Sequence, residues 1–113
     1  MNISVQKSDL FTADVAQQFS WYHNNASDVV AWRFFAAVDL TVSQLAMEPN
    51  LGRVRHFRHP QLQNLRSFRV EPPFQKIQIF YRITTDGVQI WRLMHGARDL
   101  PKRLAEGLEP PLE

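Results

Sequence analysis

Apolar residues recur at helical spacing in the first half of the chain and alternate at strand spacing in the second. Phe11, Val15, Phe19 and Tyr22 lie four, four and three residues apart, which is one face of a helix running to about His23. Ala31, Phe34, Phe35, Val38, Val42 and Leu45 repeat in the same way, so the pattern predicts a second helix to Met47 or Glu48, stopped by Pro49. Ser8-Asp9 and Ser27-Asp28 precede the two runs. Their side-chain oxygens suit the unpaired N–H groups of a first helical turn. The short link at Asn24-Asn25 predicts an antiparallel helical hairpin. Trp21 and Trp32 fall off both stripes and either flank the core or meet a partner. Ahead of the hairpin, Ile3 and Val5 alternate weakly, which reads as a short edge strand.

Past Pro49-Asn50-Leu51-Gly52, a turn by composition, residues Arg53 to Asn64 show no period and read as a basic loop. Leu65 to Val70 reads as a strand with Phe68 and Val70 on one face, ended by Glu71-Pro72-Pro73. Ile77, Ile79, Tyr81 and Ile83 alternate strictly. Asp86-Gly87 then predicts a tight hairpin whose two central residues take positive φ. Val88 to His95 is apolar on both faces, as expected of a strand covered on both sides. Asp99 is placed to cap a short last helix with Pro101 in its first turn, and residues from about 106 to 113 read as a frayed tail. The expected fold is α+β: an N-terminal strand and helical hairpin packed on a small, mostly antiparallel sheet, in the order β-α-α-β-β-β with a short C-terminal helix. A length of 113 residues predicts one domain, 1–113.

Composition changes this picture in two ways. There is no cysteine, which excludes disulfides, thiol nucleophiles and thiolate metal sites. The net charge of +2 conceals a division: residues 53 to 103 carry eleven Lys and Arg against Glu71, Asp86 and Asp99, while residues 1 to 52 carry Lys7 and Arg33 against five acids. Such a basic half is either a footprint for an anionic partner, nucleic acid or an acidic protein segment, or a solvated surface. The N-terminus has no signal-peptide pattern, and no uninterrupted apolar run approaches the ~18 residues that span a bilayer. The expectation is a cytoplasmic protein with no membrane partner.

Candidate chemistry gathers where the last strand ends. His95 can carry a proton, and Arg82, Arg92 and Arg98 can hold a phosphate, the parts of a metal-independent ribonuclease. The alternative is structural: Asp99 caps, Arg98 pairs with an acid and His95 packs at a strand end. Arg53, Arg55, Arg58, Arg66 and Arg69 suit a nucleic-acid backbone or an acidic peptide equally. His56 and His59 have metal-like spacing only on a helix, which Pro60 opposes, so no metal and no cofactor is expected. No G-x-S-x-G elbow and no Gly-rich phosphate loop occurs.

Several of these residues together resemble a known family. The element order, Pro49-x-x-Gly52 after the second helix, Leu65-Arg66, Phe80-Tyr81-Arg82 and above all the run from Trp91 to Asp99, WRLMHGARD, are similar to the RelE/ParE toxin superfamily of type II toxin–antitoxin modules, in its ParE-like branch. The resemblance implies a toxin neutralised by an antitoxin whose acidic C-terminal segment folds over it, the two forming a hetero-oligomer. ParE-like members poison DNA gyrase; RelE-like members cut mRNA on the ribosome with a Tyr or His-Tyr pair near the C-terminus. No tyrosine follows Tyr81 here, which favours the ParE-like reading. On that reading Arg66, Arg69, Arg82, Arg92, His95, Arg98 and Asp99 form the surface for target or antitoxin. On the nuclease reading Arg82, His95 and Arg98 are catalytic. A third reading is a non-toxic relative that only binds its antitoxin.

Overall fold

The computed structural model describes residues 3–96, 99–106 and 108. A first strand, β1 (Ser4–Lys7), leads into helices α1 (Asp9–Asn25) and α2 (Asp28–Met47). Both helices start as expected. The Ser8 hydroxyl accepts the Phe11 N–H at 3.0 Å, and that of Ser27 accepts the Val30 N–H at 3.1 Å. Four strands follow, β2 (Arg53–Val54), β3 (Arg66–Arg69), β4 (Ile77–Ile83) and β5 (Gly87–His95), and then helix α3 (Leu100–Ala105). The sheet runs β1-β5-β4-β3-β2, with β1 parallel to β5 and every other pair antiparallel.

The hairpin covers one face of this sheet. Phe11, Phe34, Val38 and Leu45 bury against Ile77, Ile79, Tyr81, Ile90 and Leu93. On the opposite face Leu62, Leu65, Leu100 and Leu104 close over Phe80 and Met94. Two covered faces explain why β5 is apolar throughout. A bulge sets Phe80 opposite Arg92 but Tyr81 opposite Ile90, so Trp91 is the extra residue on β5.

Four expectations need correction. The stretch from Arg53 to Asn64 is not all loop: it holds β2 and a 3-10 turn at Pro60–Leu62, both too short to leave a period. The β4–β5 turn is centred one residue earlier than Asp86-Gly87, with the Thr84 N–H on the Gly87 carbonyl at 2.9 Å, and neither Asp86 nor Gly87 has positive φ. Gly87 is required for room instead, because a Cβ there would collide with the backbone of Ser4 on β1. Asp99 precedes α3 in a left-handed conformation (φ 52°) and makes no side-chain cap. Finally, α2 is long and apolar enough, by length and composition, to cross a membrane. An uninterrupted-run criterion passes over it because Arg33 and Asp39 divide it. Its residues Ala31, Phe34, Val38, Val42 and Leu45 are spent on the core. Arg98 and most of the expected tail (residues 107 and 109–113) lie outside the described residues.

Candidate functional site

The end of β5 is built by residues distant in the chain. β1 pairs with β5 only as far as Ile90, so the edge beyond lacks a strand partner. The start of α1 replaces it. The Ser8 N–H donates to the Ile90 carbonyl at 2.9 Å, and the Ser8 hydroxyl donates to the Trp91 carbonyl. The Asp14 carboxylate accepts the Leu93 N–H at 3.0 Å, Arg92 Nε at 2.7 Å and Arg92 Nη2 at 3.1 Å. Arg92 Nη1 reaches the Arg103 carbonyl of α3 at 3.4 Å. Arg92, expected on a contact surface, is therefore turned inward and only 7% exposed. It joins α1, β5 and α3.

Arg82 is likewise occupied. Its Nε donates to the Gln63 carbonyl at 2.9 Å and its Nη2 to that of Gln61, while the guanidinium lies 5.2 Å from the centre of the Trp91 ring. Burial lowers its pKa from the ordinary arginine value. Arg82 thus pins the segment before β3 to the sheet. His95 is exposed at the strand end, and its carbonyl takes Arg103 Nη2 at 2.9 Å. Asp99 is exposed too. Of the three residues expected in a nuclease site, one holds a loop, one is exposed and Arg98 is outside the described residues. The histidine pair is divided by role: His59 Nδ1 accepts the Gln61 N–H at 3.1 Å, capping the 3-10 turn.

The last tyrosine is scaffold. The Tyr81 hydroxyl donates to the Pro49 carbonyl and accepts the Gly52 N–H at 2.8 Å, tying the end of α2 to β2. Gly52 has no alternative here, since a Cβ would strike that ring. Burial raises the Tyr81 pKa, opposed by the Gly52 hydrogen bond and by Arg66. Arg66 Nη1 donates to the Gly52 carbonyl at 2.9 Å. Arg69 is exposed at the end of β3.

An apolar groove that the periodicity did not single out lies on the hairpin. It encloses about 420 Å³ between α1 and α2, floored by Phe11, Val15 and Val38 and walled by Phe19, Trp32 and Phe35, with Lys7 and Asp39 at its rim. Phe35, expected in the core, is 46% exposed, and Trp32 is 62% exposed. The rings hold one another edge-on, with Phe19 to Trp32 centroids 5.0 Å apart and Trp32 to Phe35 5.9 Å. Rigid, exposed aromatic rings beside an apolar trough suit the apolar face of an incoming peptide segment. The one signal in the sequence was Trp32, off the buried stripe.

A helical hairpin on a small, mostly antiparallel sheet, with an apolar groove between the helices, defines a small α+β fold. Residues 5–100 match the family model described as ParE toxin of type II toxin-antitoxin system, parDE, and the chain belongs to that family. A solved structure titled chromosomal ParDE TA system from P. aeruginosa contains a chain that superposes with a TM-score of 0.68 at 18% identity, covering 84% of this chain and 97% of that one. A chain of the YoeB-YefM complex from Staphylococcus aureus gives 0.48 at 8% identity over 86% and 100%. The first of these shares the fold. No curated protein matches in sequence.

Proposed function

We propose that this ParE-family toxin inhibits growth by binding DNA gyrase, and that an antitoxin neutralises it by laying an amphipathic segment in the groove between α1 and α2. The groove is the observation that carries the antitoxin half. Trp32 and Phe35 stand exposed on a helical frame whose own core is complete without them. Two large rings flanking an apolar trough are the kind of anchor point where binding energy concentrates. The segment that fits has apolar residues at three- and four-residue spacing.

The gyrase half is supported by family membership and by what the arginines do. Arg92 lines a cleft with His95, but its donors are taken by Asp14 and the Arg103 carbonyl, and those of Arg82 by the Gln61 and Gln63 carbonyls. On this reading exposed His95 is part of the contact surface. The test is tightly controlled expression without antitoxin. Filamentation, DNA-damage signalling and gyrase-linked DNA breaks are expected. Prompt translation arrest with mRNA cuts and unperturbed supercoiling would instead establish the ribonuclease reading, and harmless expression would leave a protein that only binds its antitoxin.

A further inference from the structure

Three arginines of the basic half share one sheet face. Arg53 pairs with Ser67 across β2 and β3, Ser67 with Phe80 and Arg69 with Gln78 across β3 and β4. Arg55 prolongs the ladder, its N–H on the Leu65 carbonyl at 2.8 Å. Because side chains alternate, Arg53, Arg55, Ser67 and Arg69 share the face that carries Phe80, opposite the hairpin, while Arg66 and Phe68 point the other way. Diagonal neighbours on paired strands stand about 7–8 Å apart. That is comparable to the separation of successive phosphates along one strand of a duplex.

Among the described residues, no carboxylate pairs with these guanidiniums. Residues 53–70 contain no acid. Among the described residues, the ion pairs are His23 with Asp28 and Arg92 with Asp14, and neither involves this face. Arg55 donates to the Ser67 hydroxyl at 3.1 Å, and burial, followed by repulsion from Arg53, lowers its pKa. Guanidiniums held together on a partly desolvated face repel one another until an anion relieves them.

Two observations select the anion. The aromatic rings on this face are already covered: Arg55 lies 5.7 Å and 5.8 Å from the centres of Phe57 and Phe80, and Arg82 covers Trp91. Bases of a single strand therefore find no open ring on which to stack. The apolar trough a peptide needs is on the opposite side of the molecule. What remains is recognition of a phosphate backbone with the bases kept inside a duplex.

We propose that the face formed by Arg53, Arg55 and Arg69 binds the phosphodiester backbone of duplex DNA without reading its sequence. Only the choice of DNA over another duplex rests on the gyrase reading. The experiment is fluorescence anisotropy of the full chain with a short mixed-sequence DNA duplex, titrated between about 50 and 200 mM salt. Three phosphate contacts predict a slope of about −2.7 in log K against log salt, at about −0.9 per contact. Arg53→Gln and Arg69→Gln should each reduce that slope by about one contact, and the double variant should lose roughly tenfold in affinity at unchanged melting temperature. Arg33→Gln, exposed on α2, should bind as the parent does. The proposal is overturned if the double variant binds duplex DNA normally, if single-stranded RNA of equal length binds more tightly than the duplex, or if the double variant loses antitoxin affinity alone. A chain that binds DNA in this way but leaves gyrase unharmed overturns the gyrase reading and not this one.

Discussion

The carboxylate of Asp14 on α1 holds Arg92 on β5 through Nε at 2.7 Å and Nη2 at 3.1 Å while also accepting the Leu93 N–H. One side chain thus finishes the edge of a strand and neutralises a buried cation. Both partners are largely shielded, with side chains 9% and 15% exposed, so removing one strands the other. Asp14→Ala should cost about 3–5 kcal/mol in urea unfolding. The apolar pair Asp14→Leu with Arg92→Met should cost less than Asp14→Ala alone. Strictly additive single effects would show that the pair is not coupled.

Tyr81 makes a second long-range tie, from β4 to both ends of the turn after α2. Tyr81→Phe leaves the part-buried Pro49 carbonyl and the buried Gly52 N–H without this partner and should cost about 1–3 kcal/mol. It should also change the alkaline limb of stability. Burial raises the folded-state pKa of this phenol above the ordinary 10.0. The folded chain therefore keeps a proton that the unfolded chain releases, and stability falls as pH rises from about 10 through the folded value. Equilibrium unfolding across that range should show a shallower fall in the phenylalanine variant.

Gly87 lets β1 approach β5 closely. A Cβ there would overlap the carbonyl and the rest of the Ser4 backbone, a neighbour that cannot rotate away. Gly87→Ala should destabilise by about 1–3 kcal/mol, the usual range for overpacking. Amide hydrogen exchange should rise along β1 first, while α2 and β4 keep their protection.

Phe35→Asp tests the groove. The ring packs edge-on against Phe19 and Trp32 and is close to half exposed, so the fold should lose only about 0.5–1.5 kcal/mol. Antitoxin affinity should fall about 30-fold or more, the loss expected at a hot spot, measured by calorimetry. Toxicity should persist and escape neutralisation. Antitoxin binding unchanged in both Phe35→Asp and Trp32→Asp would remove the groove from the interface.

His95→Ala should leave stability unaltered within about 0.5 kcal/mol, because among the described residues only the backbone of His95 is hydrogen-bonded. A loss of toxicity at constant stability places the imidazole against the target.

The sequence by itself determined the hairpin, its two serine caps, β3, β4 and β5 and the doubly covered character of β5. Each of these is written in periodicity or in side chains within four residues of the group they serve. Family resemblance in WRLMHGARD was also legible, because it is a contiguous run. Only the tertiary structure decided what the polar residues do. Arg92 was read as surface because its partner Asp14 lies 78 residues away, and Arg82 because its acceptors are backbone carbonyls that no side-chain pattern marks. Phe35 sits next to Phe34 on the helix, about 100° round, and only the position of α1 leaves one buried and the other in the groove. Gly87 looked like a turn glycine and proved to be a packing one, since the atom that excludes a Cβ belongs to the other end of the chain. Local spacing fixes elements; which face a residue meets, and what neutralises its charge, is settled when distant segments come together.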